Sequence, residues 1–290
     1  MKKKLFFIIN PVSGVGRQKK VEKLLDEVLD RTAIDYEIRY TKSAGHAAEL
    51  SAEAAAANFD AVVAVGGDGS VNEAGRSLIN SNTALAILPA GSGNGLARHL
   101  GIPMDLKRAM KVVQGMKTTR IDTGSFNGRP FFGMSGVGFD AHIGYEFSRF
   151  GKRGFSSYIK VFLREFPEYK AQEIEITIDG KTIVRKALLV SVANGSQYGN
   201  NAFIAPQADV TDGVLDICIL KEFPLLSVAS LARRLFNKTM NRSKYMEALR
   251  GKDIHIRQSG ETGHTDGEPF IAGKEVFIKV NPLSLKVVVP

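Results

Sequence analysis

Two short apolar runs, each ended by a glycine-rich loop, constrain the fold of this chain more than any other feature of its sequence. Residues 61–65 lead into Gly66-Gly67-Asp68-Gly69, and residues 84–88 lead into Pro89-Ala90-Gly91. A continuous apolar run of this length is typical of a strand buried on both faces, which occurs mainly in parallel sheets covered by helices. The sequence therefore predicts central strands of an α/β sheet, each with a glycine-rich loop at its carboxyl end.

The pattern of predicted elements changes near residue 121, from alternating strands and helices to mostly strands, and this change predicts two domains. Before it, strands at 5–9 and 36–40 and helical patterns at 16–30 and 46–58 complete a Rossmann-like, mostly parallel α/β domain over residues 1–121. After it, a hairpin at Asp179-Gly180 and apolar runs at 188–192, 215–220, 253–257, 276–280 and 285–289 predict a β-sandwich over residues 122–290. Helical patterns at 156–166 and 225–249 interrupt it, and the last strand can pack back near the first domain.

Composition limits the compartment and the partners. The longest apolar runs are too short to span a bilayer, and the start of the chain has no cleavage site typical of a signal peptide. The single cysteine, Cys218, cannot form an internal disulfide, which favours a reducing cytosol, and its place in an apolar run predicts that it is buried. A net charge of +9 favours polyanionic partners, namely an anionic membrane, nucleic acid or a phosphate-bearing substrate.

A third loop, Asn10-Pro11-Val12-Ser13-Gly14, follows the first predicted strand, so three such loops should converge on one crevice at the carboxyl ends of the strands. The sequence has no Walker-type P-loop and no protein-kinase signature, so backbone amides and hydroxyls would hold the phosphates. Asp68 adds an acceptor for a metal-bound water or a hydroxyl. The alternative is a tight turn with Ser70 as helix N-cap. A nicotinamide enzyme is disfavoured, because the second strand ends in Arg39-Tyr40-Thr41-Lys42 and not in the Asp or Glu that binds the ribose.

These motifs together resemble the catalytic domain of diacylglycerol, sphingosine and related bacterial lipid kinases. The resemblance rests on Asn-Pro-x-Ser-Gly at 10–14, Gly-Gly-Asp-Gly-Ser-x-Asn-Glu at 66–73 and Leu-Pro-x-Gly-Ser-Gly-Asn at 88–94. It continues through Asp122-Thr123-Gly124, Gly136-Val137-Gly138-Phe139-Asp140, 212–216 and Asp266-Gly267-Glu268. Gly-Gly-Asp-Gly alone is shared with NAD kinases and phosphofructokinase-like enzymes, whereas the ordered set is specific.

The resemblance implies an NAD-kinase-like and phosphofructokinase-like α/β domain that binds ATP, a β-sandwich domain, and an active site in the cleft between them. The nucleotide would contact Asn10, Pro11, Ser13, Gly14, Thr41, Gly66, Gly67, Asp68, Gly69, Ser70, Asn72, Glu73, Gly91, Ser92 and Asn94. Asp266 would be the general base, with Glu268 and Asp68 as the alternatives. A structural Mg²⁺ would bind the Asp212 carboxylate and the backbone carbonyls of Asp209 and Val214.

The expected function is transfer of the ATP γ-phosphate to a lipid hydroxyl, of diacylglycerol, a sphingoid base or a related lipid, at an anionic membrane surface. The enzyme is expected to be cytoplasmic and peripheral at the inner membrane, with no nucleic-acid partner. The basic stretch 233–250 could dock there with Leu231, Leu235 and Phe236, or it could be a solvated helix face. His264 could contact substrate phosphate, and an exposed sandwich edge could form a homodimer. A kinase of a soluble substrate such as NAD, and a non-catalytic nucleotide- or nucleic-acid-binding module, are the alternatives.

Overall fold

The computed structural model describes residues 2–11, 20–149 and 155–290. The chain divides into two compact units. The first holds the chain up to Asp122 together with Leu283–Pro290, and the second holds Thr123–Pro282. Both boundaries between the units fall inside strands and not in loops, one in the strand Thr118–Phe126 and the other in the strand Glu275–Val288.

The first unit is a parallel sheet with helices. Its strands are β1 (Lys3–Ile9), β2 (Ile34–Tyr40), β3 (Ala61–Gly66) and β4 (Ala84–Pro89), and its helices are α1 (Val21–Val28), α2 (His46–Ala56), α3 (Asp68–Arg76), α4 (Gly95–His99) and α5 (Leu106–Gly115). The strand order is β2-β1-β3-β4, parallel throughout. Val287, near the end of the chain, pairs in parallel with Leu85 of β4.

Burial in this unit follows the sequence pattern. Every residue of β3 and β4 is buried. Since successive side chains of a strand point to opposite faces, complete burial means that both faces of the sheet are covered. The predicted strands are confirmed, and the helix predicted at 46–58 is α2. The helix predicted at 16–30 is α1, described from Val21, because residues 12–19 lie outside the described part. Helix α5 was not predicted; Asp105 caps it by accepting the Arg108 N–H at 2.9 Å.

The second unit is a β-sandwich with helices on one sheet, which confirms the predicted architecture. Its strands are β5 (Thr118–Phe126, which starts in the first unit), β6 (Arg129–Phe131), β7 (Met134–Gly138), β8 (Gln172–Ile178), β9 (Lys181–Ala187), β10 (Leu189–Ala193), β11 (Leu215–Leu220), β12 (Met246–Gly251), β13 (Asp253–Arg257), β14 (Thr262–Thr265), β15 (Glu268–Ile271) and β16 (Glu275–Val288, which ends in the first unit). Its helices are α6 (Phe139–Arg149), α7 (Phe155–Glu165) and α8 (Val228–Phe236), with 3₁₀ turns at Leu225–Ser227 and Met240–Arg242.

One sheet of the sandwich has the order β12-β11-β10-β7-β14-β15, and in the other β13 pairs with β16 and β8, and β8 pairs with β9. All these pairings are antiparallel. Side chains from both sheets form one apolar core, which includes Val190 and Ile217 from one sheet and Ile176, Ile254 and Ile278 from the other. Cys218 is buried as predicted, and burial raises the pKa of its thiol to about 12.

Two predicted elements of this unit are wrong in extent. The helix predicted at 225–249 ends at Phe236, because Lys238 adopts a left-handed backbone conformation with φ of +57° that a helix cannot continue through. Met246–Gly251, which had been included in that helix, is strand β12 paired with β11. The runs at 276–280 and 285–289, predicted as separate strands, belong to one continuous strand, β16.

The hairpin predicted at Asp179-Gly180 is confirmed. Asp179 and Gly180 have φ of +48° and +83°, as the two central residues of a type I′ turn require. The Asp179 carboxylate also accepts the backbone N–H groups of Lys252 and Asp253, at 3.0 and 2.9 Å. These hydrogen bonds lower the pKa of Asp179.

Within the described ranges, no helix is long and apolar enough to cross a bilayer.

Candidate functional site

The described parts of the predicted loops of the first unit meet at the carboxyl edge of its sheet. The Thr41 N–H after β2 donates to the Ile9 carbonyl at 3.0 Å, which joins the ends of β2 and β1. The Asn10 amide Nδ2 lies 3.4 Å from the Ser70 hydroxyl, which joins the end of β1 to the first turn of α3. The ends of β3 and β4 are joined because the Ala90 N–H donates to the Gly66 carbonyl at 2.9 Å. The sheet therefore brings these loops together along one edge.

Gly67 and Gly91 hold two of these loops in direct backbone contact. A Cβ atom built on Gly91 would lie 2.3 Å from the Gly67 Cα and 3.0 Å from Asn94 Oδ1. No side chain fits between the loops at that distance, so glycine is required here for close approach. The backbone amides of both loops are thereby presented together, without side chains that would keep a phosphate away.

The Asp68 carboxylate holds the loop that follows β4. Its Oδ2 accepts the Asn94 N–H at 2.8 Å, and its Oδ1 accepts the Gly95 N–H at 2.6 Å. Asn94 has a left-handed backbone with φ of +53°, and its side-chain amide donates to the Gly91 carbonyl at 2.8 Å. The structure thus gives Asp68 a part in fixing the loop from Gly91 to Gly95. Its catalytic role stays a prediction.

The remaining predicted nucleotide residues that the structure describes lie on the same loops or in the first turns of α3. Ser13 and Gly14 fall outside the described residues, whereas Pro11 and Ser92 are exposed. Gly69, Ser70, Asn72 and Glu73 are in the first two turns of α3, whose N-cap Gly67 has no side chain to cap the helix. One carboxylate oxygen of Glu73, Oε1, is buried and has no hydrogen-bond partner within the described ranges. A ligand hydroxyl or cation there would satisfy it.

Asp266 of the second unit is held by three backbone amides. Its Oδ1 accepts the N–H groups of Gly133 and Met134 at 2.8 and 2.9 Å, and its Oδ2 accepts the Phe132 N–H at 2.9 Å. Asp266 and Gly267 form the turn between β14 and β15 with φ of +47° and +83°. The carboxylate is therefore fixed before any substrate binds, as a positioned base requires. Glu268, the alternative base, is exposed at the start of β15.

A buried polar cluster in the second unit was not predicted. The Asp140 carboxylate accepts from the Ser191 hydroxyl at 2.6 Å and the Tyr198 hydroxyl at 3.2 Å, and it lies 3.2 Å from His264 Nε2. His264 is only 4% exposed, and its other ring nitrogen, Nδ1, has no partner among the residues described. His264 is thus engaged with Asp140, and the suggested contact with substrate phosphate stays a prediction.

The cluster exists because Gly136 has no side chain. Ser191 on β10 and His264 on β14 both pair with Gly136 on the strand between them, β7. A Cβ on Gly136 would lie 2.7 Å from Asp140 Oδ2 and 3.0 Å from His264 Nε2. The carboxylate therefore occupies the space that a side chain on β7 would fill. The run Gly136-Val137-Gly138-Phe139-Asp140 carried this signal, but only as part of the family resemblance.

Substitution of Gly136 by alanine should destabilise the protein by about 1–3 kcal/mol, because the new Cβ displaces a buried carboxylate from its hydrogen bonds. Thermal unfolding of the purified variant checks this expectation. Gly144→Ala is the matched control, since a Cβ at that position of α6 meets Pro269 only at ordinary contact distance, 3.7 Å. An unfolding temperature for Gly136→Ala equal to that of Gly144→Ala would contradict the expectation.

In the segment predicted to bind Mg²⁺, the carboxylate of Asp212 contacts a basic side chain. The Asp212 carboxylate forms an ion pair with the Arg250 guanidinium, which also lies 3.6 Å from Asp216. The Asp209 carboxylate accepts from the Thr211 N–H at 2.9 Å and from its hydroxyl at 2.7 Å. Within the described ranges, no group of three or more His, Cys, Asp or Glu residues could hold a metal ion. The structure thus gives the Asp212 carboxylate a cationic partner in Arg250, and the Mg²⁺ site of Asp212 with the backbone carbonyls of Asp209 and Val214 stays a prediction.

Family models match nearly the whole chain. The diacylglycerol kinase catalytic domain matches residues 4–126, and the YegS C-terminal NAD kinase beta sandwich-like domain matches residues 133–289. A diacylglycerol kinase of Bacillus subtilis is 31% identical over 241 residues, which cover 80% of this chain and 79% of the relative. A probable lipid kinase YegS-like of Pseudomonas aeruginosa is 31% identical over 266 residues, 87% of this chain and 84% of the relative.

Solved structures show the same fold. One from Bacillus anthracis superposes with a TM-score of 0.81 at 25% identity, covering 100% of this chain and 95% of the other. Another, of a diacylglycerol kinase from the same organism, has a TM-score of 0.74 at 24% identity and covers 100% and 97%. Together with the family models and the identities over most of the relatives' length, the chain belongs to the diacylglycerol kinase and YegS-like lipid kinase family of ATP-dependent phosphotransferases.

Proposed function

We propose that this enzyme transfers the γ-phosphate of Mg·ATP to the free hydroxyl of diacylglycerol, and that Asp266 is the general base. The observation that carries this proposal is the Asp266 carboxylate fixed by the N–H groups of Phe132, Gly133 and Met134. The choice of diacylglycerol is supported by the Bacillus subtilis relative, whose name is diacylglycerol kinase. A sphingoid base or another lipid alcohol offers a hydroxyl of the same reactivity, so the acceptor requires a direct test.

The nucleotide phosphates are proposed to bind at the carboxyl edge of the parallel sheet. The close contact of Gly67 with Gly91 allows phosphate to approach the backbone, and the uncapped start of α3 offers the positive end of a helix. Asp68 acts here through the loop that it holds, by accepting the N–H groups of Asn94 and Gly95. Mg²⁺ enters with ATP as part of the substrate and neutralises charge on the phosphate oxygens.

The chemical step is an in-line displacement. The acceptor hydroxyl oxygen forms a bond to the γ-phosphorus, the bond from that phosphorus to the bridging oxygen breaks, and ADP leaves with the electron pair. The hydroxyl proton passes to the Asp266 carboxylate. Most of the rate in such a reaction comes from alignment and charge neutralisation. The base adds roughly 10²- to 10⁴-fold, so its fixed orientation matters more than a strong intrinsic basicity.

A kinase that phosphorylates a soluble acceptor such as NAD is the second candidate. It is favoured by the description of the matching C-terminal family model, which names an NAD kinase-like β-sandwich. The two candidates share the proposed nucleotide site and differ in the acceptor. Product analysis therefore separates them.

The test is transfer of labelled γ-phosphate from Mg·ATP to a panel of acceptors. Diacylglycerol, a sphingoid base, phosphatidylglycerol and a polyprenol are presented in mixed micelles, and NAD is presented in solution. We expect chloroform-extractable label with diacylglycerol at a rate well above the others, and no label in NAD. Label in NAD alone would overturn the lipid acceptor. Preferential labelling of another lipid would keep a lipid kinase and replace diacylglycerol.

A further inference from the structure

Two adjacent leucines of the second unit project into solvent. Leu226 is 95% exposed and Leu225 is 62% exposed, on the 3₁₀ turn that leads into α8. Leucine is among the residues most often buried, and exposure this complete on two neighbours leaves an apolar contact surface uncovered. Neither side chain belongs to the apolar core of the unit.

Helix α8 has one buried face and one exposed face. Leu231 is only 7% exposed and packs in the core, so the expectation that it faces a bilayer is wrong. The exposed face instead presents Ser230, Arg233 and Phe236, at the spacing of three residues that places side chains on one side of a helix. This face continues from the turn that carries Leu226.

Two cavities lined by cations and hydroxyls adjoin this helix. One of about 360 Å³ is lined by Arg234, Arg242 and Lys244, with the hydroxyls of Ser227, Ser230, Ser243 and Tyr245. The second, of about 300 Å³, shares Ser230 and Arg234 with the first and adds Arg233. None of the described residues that line either cavity is acidic. Cations and hydroxyl donors without a carboxylate are the groups that bind a phosphate.

The positive charge at these cavities is not neutralised within the protein. None of the five basic side chains from Arg233 to Lys244 forms an ion pair with any residue that the structure describes; they are Arg233, Arg234, Lys238, Arg242 and Lys244. The neighbouring acids are engaged elsewhere, since Glu247 pairs with Arg185 and Lys221, and Glu222 pairs with Lys186. Consistent with this surrounding, the hydrogen bond from Ser227, with a contribution from Lys244, lowers the pKa of Tyr245.

We propose that residues 224–245, the docking segment, bind an anionic phospholipid bilayer. Leu225 and Leu226 enter the boundary between headgroups and acyl chains, while Arg234, Arg242 and Lys244 surround a lipid phosphate. This inference rests on the proposed lipid acceptor, because an enzyme that phosphorylates a membrane lipid must reach the bilayer surface. The site is distinct from the residues assigned to nucleotide binding and to proton removal.

The apolar side chains decide between a bilayer and a nucleic acid as the partner. Single-stranded nucleic acids are bound through aromatic side chains that stack on bases, together with cations along the backbone. The most exposed side chains here are aliphatic, and they directly precede a basic amphipathic helix. That combination fits the interface of an anionic membrane.

The test compares vesicle binding by three variants and the native protein. One carries Arg234→Gln, Arg242→Gln and Lys244→Gln, and another carries Leu225→Ser and Leu226→Ser. The control carries Lys111→Gln, Lys181→Gln and Lys274→Gln, which removes the same charge from exposed lysines far from the docking segment in sequence. Binding is measured by sedimentation without ATP, at low salt, on vesicles of phosphatidylcholine with phosphatidylglycerol and of phosphatidylcholine alone. The same proteins are titrated with an oligonucleotide.

We expect the arginine and lysine variant to bind anionic vesicles about 100-fold more weakly, since each cation near such a surface contributes about fivefold. The leucine variant should bind at least about tenfold more weakly, and the control should match the native protein. Equal binding by all four proteins would overturn the proposal, as would loss of oligonucleotide binding with vesicle binding unchanged. Turnover of a short-chain diacylglycerol in neutral micelles separates the two proposals: a docking variant should keep it, whereas an error in the proposed function would show as no turnover even by the native protein.

Discussion

Replacement of Asp266 by asparagine should lower kcat by roughly 10²- to 10⁴-fold, because the amide cannot take the acceptor's proton. The same change should destabilise the protein by about 1–3 kcal/mol. Asparagine has one oxygen and an NH₂ group in place of two oxygens, so at least one of the N–H groups of Phe132, Gly133 and Met134 would face another donor. Initial rates at saturating Mg·ATP and acceptor, with thermal unfolding of the same preparation, measure both effects.

The matched control for this variant is Asp253→Asn, since that carboxylate is exposed and, among the residues that the structure describes, forms an ion pair only with Lys279, at 3.0 Å. It removes the same charge without disturbing a set of backbone donors, and its rate should equal that of the native enzyme. Glu268→Gln tests the alternative base. A native kcat for Asp266→Asn together with a large loss for Glu268→Gln would transfer the role to Glu268.

The double effect expected for Asp266 could not be obtained from the sequence. The role of Asp266 as general base was implied only by the resemblance of the motifs to lipid kinases. The amides that hold the carboxylate come from residues 132–134, more than a hundred positions earlier, and they reach it through the pairing of β7 with β14. Sequence patterns report local conformation and burial, whereas this contact depends on strand register across the chain.

The difference between local signals and strand register also explains why the loops at the sheet edge were predicted and the polar cluster in the sandwich was not. β3 and β4 and their glycine loops were predicted because burial on both faces and the turn chemistry are local signals. The cluster of Asp140, Ser191 and His264 gives no such signal, since its members meet only over Gly136. The helix wrongly extended beyond Phe236 shows the opposite failure, in which a spacing typical of a helix continued into residues that pair as strand β12.

The second large effect is expected for a substitution in the loops that are proposed to bind ATP. Gly91→Ala should abolish measurable Mg·ATP binding, or weaken it by at least about tenfold, because the loops must separate to admit a Cβ and the phosphates lose their place. That Cβ would lie 2.3 Å from the Gly67 Cα, and the atom in its way belongs to the backbone, so no rotamer change relieves the clash. Isothermal titration of each purified variant with Mg·ATP is the measurement.

The control for Gly91→Ala has to add the same methyl group where space exists. Gly115, the last residue of α5, has no atom within 4 Å of its Cβ position, and Gly115→Ala should bind Mg·ATP with native affinity. Overpacking at Gly91 should also cost about 1–3 kcal/mol of stability, so binding is compared at a temperature at which both variants are folded. If folded Gly91→Ala bound Mg·ATP as tightly as Gly115→Ala, the contact between Gly67 and Gly91 would be a packing feature alone, and the nucleotide phosphates would have to bind elsewhere.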